Sequence, residues 1–344
     1  MNILIGLLII AIGSFGQSSS YVPINKVKGW SWENFWLIQG VFAWLVFPFL
    51  GALLGKPIGV SLFDLWSSGG ALQAIVYGIL WGVGGLTFGL SMRYLGVALG
   101  QSISLGTCAA FGTLIPALLA GTNLFSGEGL LLLIGVIITL VGIAVIGYAG
   151  SLRSKQMSEE EKKKAVKEFA LTKGLAVALL AGFMSACFAL GLDAGSPIKE
   201  SALAHGVKGL YAGLPVIFLV TVGGFVTNAV YCIYQNIKND TAKEYREVSR
   251  SVWINNILFC ALAGVLWYSQ FFGLEMGKSF LIDSPILMAF SWSILMALNV
   301  TFSNVWGVIL KEWKGVKPSA ILVLVVGLLI LISSIIVVAL AQNV

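Results

Sequence analysis

The chain has 344 residues, of which 58% are hydrophobic and only 10% charged, with a formal net charge of +6. That balance excludes a soluble catalytic domain, because no polar joint between the apolar stretches is long enough to build one. The positive charge does not point to a nucleic-acid partner, since in a chain of this kind the placement of Lys and Arg matters more than their sum.

Uncharged runs of about 20 residues match the thickness of a bilayer's hydrocarbon core. In lipid every backbone amide must be satisfied within its own segment, so these runs are helices. Ten are predicted, at 3–21, 35–54, 71–92, 97–120, 129–149, 174–194, 210–234, 252–273, 285–310 and 320–341. The first lacks the basic start of a signal peptide and reads as an uncleaved span. Its far end carries Gly13, Gly16, Gln17 and Ser18 to Ser20, then Tyr21 and Pro23, so a break beside a binding cavity is expected there. Trp32 and Glu33 stand at the start of the second span, which holds Gln39. Gln73 and Trp81 lie in the third, Tyr94 before the fourth and Asp193 at the end of the sixth. Asn228 lies in the seventh and Trp267, Tyr268 and Gln270 in the eighth, with Glu275 near its end. Trp292, Asn299 and Asn304 lie in the ninth.

Of the 21 Lys and Arg residues, only Lys56, Lys199, Lys208 and Lys278 fall in even-numbered joints, and none lies in the termini. Basic joints stay in the cytoplasm, so the odd joints are inside and both termini face the periplasm. The most basic joint, Ser151 to Lys173, mixes Arg153, Lys155, Lys162, Lys163, Lys164 and Lys167 with Glu159, Glu160, Glu161 and Glu168. Its charge pattern suggests a short surface helix serving as a linker.

That linker, 151–173, separates a first five-helix half, 1–150, from a second, 174–344. Because five is odd, a repeat of the first half must insert upside down. Gly78-Ile79-Leu80-Trp81 with Phe88-Gly89-Leu90-Ser91-Met92 is echoed by Gly264-Val265-Leu266-Trp267 with Phe272-Gly273-Leu274-Glu275-Met276. The expected fold is an all-α integral membrane protein of ten helices in two inverted five-helix repeats, with substrate bound between the halves near mid-membrane.

Several chemistries lack their residues. There is no phosphate-binding loop of the Walker type. The single histidine, His205, has no cysteine or carboxylate cluster around it in sequence, and Cys108, Cys187, Cys232 and Cys260 lack metal-ligand spacing. Neither a cofactor, a metal site nor an enzyme is expected. No repeated filter sequence or ring-forming charge series suggests a channel. A carrier remains.

Charge inside a bilayer is costly, so it marks function. Glu33, Asp193 and Glu275 are the carboxylates available for proton coupling, all near span ends. Mid-span amides such as Asn228 and Gln270 accompany Trp81, Tyr94 and Trp267. Flat apolar rings with nearby amides suit a neutral, hydroxylated solute better than a charged drug.

Four blocks resemble the L-rhamnose–proton symporter family of the drug/metabolite transporter superfamily. They are Tyr21-Val22-Pro23-Ile24-Asn25-Lys26-Val27-Lys28-Gly29-Trp30-Ser31-Trp32-Glu33, Leu80-Trp81-Gly82-Val83-Gly84 running to Phe88-Gly89-Leu90-Ser91-Met92-Arg93-Tyr94-Leu95-Gly96, Leu266-Trp267-Tyr268-Ser269-Gln270-Phe271-Phe272, and Leu310-Lys311-Glu312-Trp313-Lys314. They occur in family order over nearly the whole chain. The resemblance implies import of a deoxy-sugar with protons across a bacterial inner membrane. It makes Trp32, Trp81, Tyr94, Trp267 and Gln270 the matched substrate-binding set, with Asn228 added, and puts Glu33 first for coupling. Asp193 and Glu275 fall outside the matched blocks, and Asn299 to Trp306 departs from the family pattern. An exporter of metabolites or drugs on the same fold, or a membrane sugar sensor without flux, stays open beside it. The oligomeric state is not assigned.

Overall fold

The computed structural model describes residues 2–95, 97–156, 171–311 and 313–341, so most of the basic linker, Gly96 and Glu312 lie outside the described residues. Ten helices among these are long and apolar enough to cross a membrane. They are α1 (Asn2–Ser19, continued by Tyr21–Ile24), α2 (Trp32–Leu54), α3 (Ala71–Leu95), α4 (Val97–Leu119) and α5 (Gly127–Lys155). The second five are α6 (Leu171–Ala194), α7 (Leu214–Asn239), α8 (Arg250–Lys278), α9 (Pro285–Ile309) and α10 (Pro318–Ala341). In place of the expected break, α1 makes a single turn residue at Ser20 that keeps right-handed helical dihedrals, so its course continues to Ile24. Three short helices, Leu62–Trp66, Ser196–Ala204 and Glu244–Glu247, fall in the joints. The first is locally encoded: Ser61 and Asp64 cap each other's backbone amides.

The contacts resolve into two compact units. The first runs to Gly82 and resumes over Gly191–Phe280, so it holds α1, α2, the start of α3, the end of α6, α7 and α8. The second is Val83–Leu190 with Leu281–Val344. Each sequence half contributes to both units, and α3 and α6 each pass from one unit to the other.

Helices in lipid gain no hydrophobic energy by touching each other, so they rely on small residues and hydrogen bonds. In the first unit α1 lies on α8 through glycine. A Cβ on Gly13 would stand 3.2 Å from Gly273 Cα, and the Ser269 hydroxyl donates to the Gly13 carbonyl at 3.0 Å. In the second unit α5 lies on α10, with Gly142 against Leu331 and the Thr139 hydroxyl donating to Ser334 at 3.0 Å. There α4 meets α9 through a Thr113–Ser293 hydroxyl pair at 2.7 Å, and the Trp292 indole donates to the Cys108 carbonyl at 3.2 Å.

Candidate substrate-binding site

The first unit holds a connected line of aromatic rings. Trp32 stacks on Trp36 with centroids 5.4 Å apart, as i, i+4 neighbours on a helix should. Trp36 meets Trp44 edge-on at 5.8 Å. Trp44 then touches both Trp81 of α3, at 6.0 Å, and Trp267 of α8, at 5.7 Å. Trp81 and Trp267 are themselves 5.7 Å apart, and Trp267 meets Phe271 at 5.3 Å. Thus the tryptophans that end the two matching Gly-x-Leu-Trp blocks meet around a third, Trp44.

Trp44 reaches that position because α2 is not a regular helix. Residues Val41–Val46 form a π turn. From Trp36 to Trp44 an uninterrupted α-helix would rotate about 800°, leaving the rings about 80° apart. Roughly 80° per residue in the wider turn brings the total from Gly40 onward back close to two full turns, so both rings face the same way. Gly40 leaves room for this: a Cβ there would stand 2.7 Å from the Trp44 ring. Across the contact, a Cβ on Gly264 would stand 2.6 Å from Phe42 Cβ, so α8 fits the widened turn only with glycine.

Polar groups accompany the rings. Asn228 accepts from the Trp36 indole at 3.2 Å and donates to the Gly224 carbonyl at 2.9 Å. Gly224 in turn lies directly under the Trp81 ring, where no Cβ fits. Asn228 therefore orients the wall rather than lying idle in it. Gln270 is buried and its amide donates to the Trp267 carbonyl at 3.2 Å. Two buried polar atoms on α2 have no hydrogen-bond partner: Gln39 Oε1 and Trp44 Nε1, on residues 2% and 4% exposed. An unsatisfied buried group costs about 1–3 kcal/mol, so α2 holds one acceptor and one donor that a hydroxyl group would satisfy.

The three carboxylates have different settings. Glu33, 6% exposed, accepts from Asn239 Nδ2 at 3.0 Å and from the Thr241 hydroxyl at 2.8 Å. Next to it, Glu244 accepts from the Ser31 amide and hydroxyl and from Asn34 Nδ2 at 2.7 Å. Together they fasten the first turn of α2 to the joint between α7 and α8. Burial pushes the Glu244 carboxyl up, but the hydrogen bonds from Ser31 and Asn34 outweigh it and hold the group below its ordinary value. Glu275, 4% exposed, receives the Lys199 ammonium at 2.5 Å. Asp193 is exposed at the end of α6.

Of the expected binding residues, Trp32, Trp81, Asn228, Trp267 and Gln270 thus gather in the first unit. Tyr94 belongs to the second, where Lys173 lies over its ring at 4.8 Å. The second unit also carries a groove of about 410 Å³ between α4 and α5, lined by Ser102, Gly106, Thr107, Leu140 and Tyr148 among others and by none of the expected site residues.

Residues 1–343 match the model of the family described as L-rhamnose-proton symport protein (RhaT). The chain belongs to that family. It is also similar to proteins named L-rhamnose-proton symporter from Yersinia pestis (strain Pestoides F) and Yersinia pseudotuberculosis serotype O:1b (strain IP 31758). Each is 34% identical over 335 residues, covering 96% of this chain and 95% of the relative. With ten apolar spans and membership of a symporter family of bacteria, it is a multi-pass protein of the bacterial inner membrane. Trp36 and Trp44 were not among the expected residues. Trp36 had a legible signal, four residues beyond Trp32 on one helix face. Trp44 had none, because its α-helical phase points it elsewhere.

Proposed function

We propose that the chain imports L-rhamnose or a closely related sugar together with protons, by alternating access. The observation that carries this reading is the unpartnered Trp44 Nε1 where the Trp36, Trp44, Trp81 and Trp267 rings meet, with Gln39 Oε1 also unpartnered on the same helix, in a member of this family. A deoxy-sugar has an apolar face, including its methyl group, to lie on indole rings, and hydroxyls to satisfy one acceptor and one donor. Trp81 and Trp267 form the walls, Trp32 and Trp36 the approach, and Asn228 and Gln270 the amide rim.

The two Gly-x-Leu-Trp blocks sit in the third helix of each five-helix half. Their meeting around Trp44 supports two inverted repeats, 1–150 and 174–344, with the site at their axis. The excess of Lys and Arg in odd joints supports termini in the periplasm and the Glu33–Glu244 end of the first unit in the cytoplasm.

Purified protein in sealed vesicles tests this. An imposed inward proton gradient is expected to drive labelled L-rhamnose inward, and adding L-rhamnose to de-energised vesicles is expected to make the outside transiently alkaline. Neither flux nor alkaline shift, in vesicles shown to be sealed, would reject the function.

A further inference from the structure

We propose that Glu275 of α8 carries the transported proton, exchanging it for the Lys199 ammonium during the cycle. This rests on the reading of the chain as a proton-coupled sugar carrier.

The geometry of the pair is asymmetric. The Glu275 side chain is 5% exposed and the Lys199 side chain 32%, so the cation reaches water and the carboxylate does not. A buried carboxylate left without its cation is strongly disfavoured as an anion, and the cheapest remedy is to take up a proton. Lys199 stands on the short helix Ser196–Ala204, outside α8, so a shift of that segment separates the pair without unfolding either side. The carboxylate lies against Gly213, the residue that opens α7, at a place no Cβ could share.

The surrounding charges are few. Lys278, one turn along α8, feels Glu275, Lys199 and Asp193. Tyr268, two turns back, has a buried hydroxyl without a hydrogen-bond partner and feels the Glu275 charge. The facing part of α1 presents Gly6 and Ile10, which do not titrate. No comparable exchange is available to the other two carboxylates. Glu33 is held by neutral donors that fasten a helix end, and Asp193 is exposed.

Glu275 also shares its helix with the sugar site. Phe271 follows Trp267 by one turn and Glu275 by two, which puts the carboxylate about 12 Å along the axis from Trp267 and about 80° around it. Sugar and proton therefore bias one rigid element, which is what coupling requires. In the step itself an O–H bond forms on a Glu275 oxygen as Lys199 withdraws, and the same bond breaks to water on the other side. Lys199 stays an ammonium throughout, so one proton enters with each neutral sugar.

The experiment uses the full chain in vesicles, reading exchange of labelled for unlabelled L-rhamnose and accumulation under a pH gradient of about one unit. One proton per sugar allows the wild type about tenfold accumulation. E275Q is expected to keep exchange at a reduced rate and to lose accumulation entirely, while E275D restores accumulation with a displaced pH profile. K199Q is expected to move the pH profile of uptake to higher pH. Tenfold accumulation by E275Q overturns the proposal, as does loss of exchange in E275Q that E275D does not repair, or an unmoved profile in K199Q. If the wild type itself neither exchanges nor accumulates L-rhamnose, the functional reading falls and this one with it. If only the variants disagree, the carrier stands and Glu275 is not its proton site.

Discussion

The two units differ in how they treat their buried polar groups among the described residues. In the second unit hydroxyls are matched to hydroxyls or carbonyls, as in Thr113 with Ser293, Thr139 with Ser334 and Ser104 with the Ala178 carbonyl. The buried Trp292 indole donates to the Cys108 carbonyl and stacks on Phe188. In the first unit Ser14, Gln39, Trp44 and Tyr268 each bury a polar atom with no hydrogen-bond partner. A fully satisfied network stiffens a scaffold, whereas an unsatisfied one stores a cost that a ligand can remove. On the proposed function, the first unit holds the site and the second the support.

The largest expected effect comes from crowding the wall of that site. A Cβ on Gly224 would fall on the Trp81 ring. Overpacking costs about 1–3 kcal/mol, and in Gly224→Ala it is expected mainly as lost sugar affinity if, as proposed, the displaced Trp81 ring lines the sugar site. The concentration for half-maximal L-rhamnose uptake and the thermal midpoint in detergent distinguish the cases. An unchanged half-saturation with a lowered midpoint would make Trp81 part of the scaffold.

A sharper contrast pairs one tryptophan from each unit. Trp44→Phe removes an indole N–H that bonds nothing in the protein, so stability is expected to hold while affinity falls. Trp292→Phe removes a donor already used by Cys108, so stability is expected to fall and affinity to hold. Each loss should be about 0.5–1.5 kcal/mol, the net worth of a neutral hydrogen bond, or about tenfold in affinity at the upper end. If the two variants respond alike, the division between the units fails.

What was legible beforehand follows from these same residues. The ten spans were, because lipid imposes one rule on every backbone amide and hydropathy reports it. That Trp81 and Trp267 correspond was legible, because their blocks repeat, and the structure brings the two rings together. Trp44 was not, since a π turn is a tertiary compromise around Gly40 and Gly264 rather than a local preference. Glu33 was legible as a charge at a span end but not as a fastening, because its partners Asn239 and Thr241 lie more than two hundred positions away in sequence. The Lys199–Glu275 pair was hidden for the same reason, each residue reading as an ordinary interfacial charge.

The smallest expected effect concerns that fastening, and its sign follows from Glu244. The folded group sits below its ordinary value of 4.5, held there by Ser31 and Asn34 against the opposing effect of burial. Its stabilising contribution is therefore complete above about 4.5 and is lost as the pH falls through the lowered folded value. Because Glu244 is partly exposed, solvent screening keeps the effect modest. Amide exchange, corrected for its intrinsic pH dependence, should show residues 240–249 and the first turn of α2 losing protection together on acidification. Glu244→Gln should show the same opening already at neutral pH. Protection in the α4–α9 contact of the second unit, which rests on hydroxyls and an indole that do not titrate in this range, should be indifferent to both changes. Joint loosening of both units would mean that the loop staples the whole molecule rather than the entrance to its site.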